Sequence, residues 1–365
     1  MKLHKILLAC MITAGFAYAD VQSNIAKVKL TAELQASEGN LEIELDNLIK
    51  KIGSIGYSTV AANKNIQVHY YNKFQEKNVE MINFYGIVNK DKIRPLLLKN
   101  PDFGAYAPFN FLAYKTLDIE HDDNTWYGHL APDTMLDIIG EKDEATRQQF
   151  RDMIEPWDAL VNKELNPQMT KKFEHTKPLP DRGLLKMVMK FDEPDDMEEF
   201  IEDFVADHDG RFSKHNFIIA GFIDYKFEYA DKDLEFDKYD AYWVSMLCHF
   251  EFSNSIFNRG IPEAGMFAPC SVYFYIPKGK NELHVGYATV DNWINALNFI
   301  DEDRIKYMKA IDAEVVEIFK EMGFEMEVQS AYEGAEEVVD AKDAEIEALK
   351  AEVKKLKAEL EALKK

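Results

Sequence analysis

Pro101-Asp102-Phe103-Gly104-Ala105-Tyr106-Ala107-Pro108 and Pro262-Glu263-Ala264-Gly265-Met266-Phe267-Ala268-Pro269 are one phrase written twice. Each reads Pro, acid, x, Gly, x, aromatic, Ala, Pro, and the likeness extends on both sides, which is the mark of two copies of one domain. After the first phrase come an apolar strand over residues 109–114, a strand through Trp126-Tyr127-Gly128-His129-Leu130, and Pro132-Asp133 opening a helix. After the second come apolar strands over 271–276 and 283–288, then Asp291 opening another helix. Gly128 thereby falls on Gly286 and Asp133 on Asp291. Upstream, 81–88 and 242–250 are apolar and aromatic strand candidates in both copies. Chance sharing of Pro and Gly is the weaker reading.

A chain of 365 residues fits about two domains of ordinary size. Its net charge of -22 argues against nucleic acid and anionic membrane surfaces, which call for a basic face. The N-terminus reads as a signal peptide over residues 1–19: Lys2 and Lys5, an apolar core over 6–16, and Ala17-Tyr18-Ala19 before Asp20. Leu7-Leu8-Ala9-Cys10 loosely matches a lipoprotein box, but leaves little apolar core ahead of Cys10, so cleavage after Ala19 is favoured. No other segment is long and apolar enough to span a bilayer. The expectation is a periplasmic or secreted protein without a transmembrane segment.

The first domain is expected over 20–165, with helices over 41–52, 91–98, 133–139 and 143–165 and strands over 66–71 and 81–88. Pro167, Pro178, Pro180, Lys171, Lys172 and Gly183 give 166–183 the composition of a linker. The second domain is expected over 184–328, restarting with a strand at 184–189. A helix capped by Asp195 and Asp196 follows, then strands over 217–229 and 242–250. Each copy reads as an α+β layer with helices on one sheet face.

With these residues in view, the chain resembles the domain-of-unknown-function-302 (DUF302) family. Asn83-Phe84-Tyr85-Gly86 leading through Pro95 to Tyr106-Ala107-Pro108 resembles that family's strand, turn, helix and Pro-started strand. Cys248, followed by Gly265-Met266-Phe267-Ala268-Pro269-Cys270 and Val272, resembles a second form of it, in which a cysteine closes the middle strand and Pro-Cys opens the next. The resemblance covers most of 41–140 and 195–325. It implies tandem β-α-β4-α domains with a TATA-binding-protein-like fold, and it implies no agreed activity. The first copy departs from the pattern in having no cysteine, which would confine thiol chemistry to the second.

Residues 335–365 read as a coiled coil. Ile346, Leu349, Val353, Leu356, Leu360 and Leu363 alternate three and four apart as a seam of a and d positions. Every g position there is Glu (Glu345, Glu352, Glu359) and every e position Lys (Lys350, Lys357, Lys364), which pairs opposite charges in a parallel arrangement and like charges in an antiparallel one. A parallel homodimer is expected. A solitary helix held by its own Glu and Lys pairs is the competing reading.

No recognisable catalytic motif is present, and no reaction, cofactor or metal is assigned. The acidic runs around Asp192–Asp203 and Asp231–Asp237 miss the spacing of a calcium loop and read as solvated surface. Cys248 and Cys270 remain after cleavage, and three readings compete: buried thiols, a disulfide, or a thiol or metal role with His249 and His284. Adjacent strand residues such as Cys248 and His249 point to opposite faces, which counts against a metal. His69, His121 and His129 are given no role. Tyr and Trp on the sheet face opposite the helices could line an apolar pocket with hydroxyl handles for a small molecule. The expectation is an exported binding module for a small ligand or periplasmic protein, with a thiol- or metal-handling protein as the alternative.

Overall fold

The computed structural model describes residues 28–118 and 120–327. Its first half runs β1 (Lys29–Glu38), α1 (Glu42–Lys51), β2 (Ser58–Asn63), α2 (Ile66–Phe74), β3 (Val79–Val88), α3 (Lys90–Lys99), β4 (Phe109–Thr116), β5 (Asn124–Gly128), α4 (Pro132–Ile138), α5 (Glu144–Leu165) and β6 (Met169–His175). The second runs β7 (Leu184–Lys190), α6 (Met197–Lys214), β8 (Phe217–Asp224), α7 (Tyr225–Ala230), β9 (Tyr239–His249), α8 (Phe250–Ser253), β10 (Cys270–Pro277), β11 (Glu282–Ala288), α9 (Val290–Ala296), α10 (Glu302–Glu321) and β12 (Glu325–Met326). The architecture mixes helices with two antiparallel six-stranded sheets. Their orders are β2-β3-β4-β5-β1-β6 and β8-β9-β10-β11-β7-β12, the same path taken twice.

Three elements differ from the sequence expectation. Residues 169–175, expected in a linker, form β6, an edge strand paired along β1. Its side chains are mostly exposed, so backbone pairing holds it without an apolar pattern to announce it. Residues 66–71 form a helix rather than a strand. Ile66-Gln67-Val68-His69-Tyr70 alternates like a strand, but Asn65 turns the chain at φ 58 and Gln67 and Tyr70 are the buried positions, one helical turn apart. Finally, β8 stops at Asp224, whose side chain accepts from the Phe227 amide and starts α7.

Each sheet buries one face under its helices. In the first half Trp157 of α5 is fully buried against Tyr57, Phe109 and Phe111. In the second, Phe204 of α6 packs on Trp243 and Phe274, and Phe319 of α10 on Phe274.

The opposite faces cover each other. Each repeated phrase forms a 3₁₀ turn, Pro101–Tyr106 and Pro262–Phe267, followed by a cis Ala–Pro bond. The first turn lies on the second sheet, so close that a Cβ on Gly104 would stand 2.5 Å from Tyr273 Cβ. The second lies on the first sheet, where a Cβ on Gly265 would stand 2.7 Å from Phe84 and 2.8 Å from Leu112. Glycine is what lets both turns sit down. The Asn110 side chain donates to the Pro269 carbonyl at 3.0 Å, and its counterpart Ser271 donates to the Pro108 carbonyl at 3.3 Å. Corresponding residues thus exchange corresponding contacts, the pattern of a two-fold interface contained in one chain.

That packing fills the face on which an aromatic pocket was expected. The hydroxyls of Tyr225, Tyr229, Tyr239 and Tyr242 donate to the carbonyls of Ala107, Lys90, Leu97 and Pro101, and Tyr273 donates to Asp102 at 2.7 Å. These tyrosines join the halves. The signal-peptide region with Cys10, and the coiled-coil seam Ile346, Leu349, Val353, Leu356, Leu360 and Leu363, lie outside the described residues. Among the described residues no helix is long and apolar enough to cross a membrane.

Candidate functional site

The two halves differ where sheet meets the last long helix. Both helices are capped by an aspartate, Asp143 and Asp301, whose side chain accepts an amide three residues on. Their buried positions then coincide in order: Phe150 with Met308, Met153 with Ile311, Trp157 with Val315, Leu160 with Ile318, Val161 with Phe319. On that register Ile154 corresponds to Asp312, and after the cis prolines Phe109 corresponds to Cys270. The first half fills the space with Trp157, Phe109 and Ile154. The second puts Val315, Cys270 and Asp312 there and leaves a cavity of about 50 Å³.

Its lining is almost wholly apolar, including Phe252, Phe257, Val272, Trp293 and Ile311, with a few polar groups. Asp312 Oδ2 accepts the Val290 amide at 2.9 Å. Burial pushes this carboxyl up to about 7 against the pull of that amide, and the neighbouring Asp291 adds to the rise. Tyr287, whose place in the first half is taken by His129, is 3% exposed, and its hydroxyl has no hydrogen-bond partner among the described residues. A buried hydroxyl without a partner is costly, and here it lines a space a ligand could enter.

Both cysteines line this cavity, and both are free thiols. Cys270 pairs across the sheet with Leu247, and Cys248 with Ile218, so the two cysteines border the cavity without being cross-strand partners, a placement that opposes a disulfide. Burial pushes Cys248 up to about 11 despite the Ser253 hydroxyl beside it. Burial, with Asp312 nearby, raises Cys270 as well. Protonated thiols are poor nucleophiles and poor metal ligands.

His249 is explained by the fold. Its Nδ1 accepts the Phe252 amide at 3.1 Å, as Asn89 in the first half accepts the Lys92 amide at 3.0 Å. It caps a helix, and burial holds its pKa below the ordinary value. His284 stacks on Tyr275, a residue of the face turned away from Cys270. Cys248, His249 and Cys270 thus border one cavity while His284 lies apart, and among the described residues no three His, Cys, Asp or Glu side chains converge as metal ligands.

His129 is tied into the first half. Its Nε2 lies 2.7 Å from Asp158 and its Nδ1 2.7 Å from the Leu130 carbonyl, beside a polar cleft of about 260 Å³. Burial opposes protonation, but Asp158 and the carbonyl outweigh it and raise the pKa. A raised histidine contributes stability that is present below its unfolded pKa and is lost as pH rises through the folded one. Asp158→Asn should accordingly lower the melting temperature at pH 6 and have less effect at pH 9, measured by thermal unfolding in low salt. An equal loss at both pH values would show that the pair is not ionic.

Asp312 was the residue that sequence reasoning missed. The signal was present as an acid on the apolar stripe Met308, Ile311, Val315, visible only when the helix is set against Ile154 and its neighbours.

No family model matches the chain, and no curated protein matches it. Among solved structures, it is similar to an uncharacterized conserved protein, DUF302, from Bacillus stearothermophilus. The identity is 12% and the TM-score 0.33, over 37% of this chain and 99% of that one.

Proposed function

We propose that the chain is an exported, non-catalytic binding protein of two DUF302-like, TATA-binding-protein-like domains, over 20–165 and 184–328, in which the second holds a small ligand and the coiled coil over 335–365 pairs two chains in parallel. The observation that carries the binding role is the cavity at Asp312, Tyr287 and Trp293, opened where the first half places Trp157, Phe109 and Ile154. The shared strand order and the two phrases support the tandem reading. The leader pattern before Asp20 supports export to the periplasm or medium, and the Glu and Lys positions flanking Ile346 to Leu363 support the parallel dimer. Against the alternative, a thiol- or metal-handling protein using Cys248 and Cys270, stand the raised pKa values of both thiols.

Native mass spectrometry of the exported protein tests this. We expect dimers carrying a small non-covalent adduct. Leu356→Lys should convert dimer to monomer without removing the adduct, and Val315→Trp should remove the adduct without changing the oligomer. Dimers that persist in the seam variant would sink the coiled-coil assignment. An adduct retained in Val315→Trp would move the ligand elsewhere.

A further inference from the structure

The cavity's chemistry is narrower than that of a general apolar pocket. Resting on the reading that this cavity is a ligand site, we infer that it takes a small organic ammonium ion, of the size of a short alkylammonium. Three observations converge. First, the space of about 50 Å³ holds roughly four water-sized atoms, which excludes large ligands. Second, its walls carry four aromatic rings, Trp293, Phe252, Phe257 and Tyr287, and a ring whose face meets the space attracts a cation and its alkyl chain together. Third, the single carboxylate on the wall, Asp312, has no cationic side chain within ion-pair distance among the described residues. The nearest candidate on its own helix, Lys309, is engaged 3.0 Å from Asp291.

The alternatives fit less well. An anion would face Asp312 with no cation to receive it. A neutral apolar molecule would leave the Tyr287 hydroxyl unsatisfied and Asp312 with only the Val290 amide as partner. An inorganic divalent ion needs several oxygen ligands, and the wall offers one carboxylate. An ammonium group satisfies both polar groups at once: it donates to the carboxylate and to the lone pairs of Tyr287, while its chain replaces the side-chain volume that Trp157 and Phe109 supply in the first half.

The test is an NMR titration of the full-length protein at pH 8 with n-propylammonium, its neutral isostere 1-propanol and the anion propionate, following resonances of the cavity wall. Propylammonium should bind at least tenfold more tightly than 1-propanol, and propionate more weakly than either. Asp312→Asn should erase that preference while leaving 1-propanol binding intact, and Tyr287→Phe should weaken propylammonium alone. If 1-propanol or propionate binds as tightly as propylammonium, the cavity is a ligand site but the cation assignment is wrong. If none of the three shifts a wall resonance, the ligand reading falls along with the inference.

Discussion

Replacing Asp312 by isoleucine stabilises the protein at pH 8 by about 4 kcal/mol more than it does at pH 4. The sign follows from the direction in which burial moves the carboxyl. Its folded pKa, about 7, lies above the ordinary aspartate value of 3.8, so the folded state holds the proton longer than the unfolded one. Below the unfolded pKa the acid is neutral in both states and costs little. Between pH 4 and 7 the unfolded chain ionises while the folded chain does not, and stability is lost progressively. Above 7 the full penalty stands. Isoleucine has no such penalty, and the first half shows that the same position accepts Ile154 fully buried. The Val290 amide loses its acceptor, a cost of about 1 kcal/mol that is the same at both pH values and is partly offset by the apolar side chain. Urea unfolding at the two pH values measures the difference. A gain independent of pH would mean that Asp312 sits in water, and the cavity would lose its defining group.

Asp102→Ala should cost about 3–5 kcal/mol, whereas Glu263→Ala, at the equivalent position of the other phrase, should cost less than about 1 kcal/mol. Asp102 is 7% exposed, accepts the Tyr273 hydroxyl, and pairs with Lys186 of β7, so its removal strands a half-buried ammonium and a buried hydroxyl at once. Glu263 stands 3.8 Å from Lys171, whose side chain is 49% exposed, and water takes over when it leaves. Lys186→Met in the Asp102→Ala background should recover part of the loss, because it removes the unpaired charge. Equal costs for the two acids would show that the halves are not locked through Asp102. These variants test the joint between halves, while Asp312→Ile tests the cavity, and the two sites share no residue.

Much of this was legible from particular residues. The two phrases, Gly128 with Gly286, and the aspartates at 133 and 291 already aligned the halves, because a crowded strand position needs glycine and the first turn of a helix favours an acid. The helix faces followed from their periodicity. What misled was local ambiguity: Ile66 to Tyr70 alternates like a strand but buries one helical stripe, and β6 carries Lys171 and Lys172 because an edge strand needs only backbone pairing. The cavity was illegible for another reason. Val315 and Cys270 are ordinary core residues taken singly, and only their juxtaposition leaves a space.

The sequence by itself therefore determined that one α+β pattern occurs twice and that the reused turn is rich in Pro and Gly, since these depend on periodicity and backbone preference within short stretches. Only the tertiary structure decided that each turn docks on the other half's sheet, that the tyrosines on that face bind carbonyls rather than a ligand, and that Asp312 stands in a cavity. Those outcomes depend on which side chains from distant segments share a volume, and the sum of volumes across a packed layer is written in no single stretch of chain.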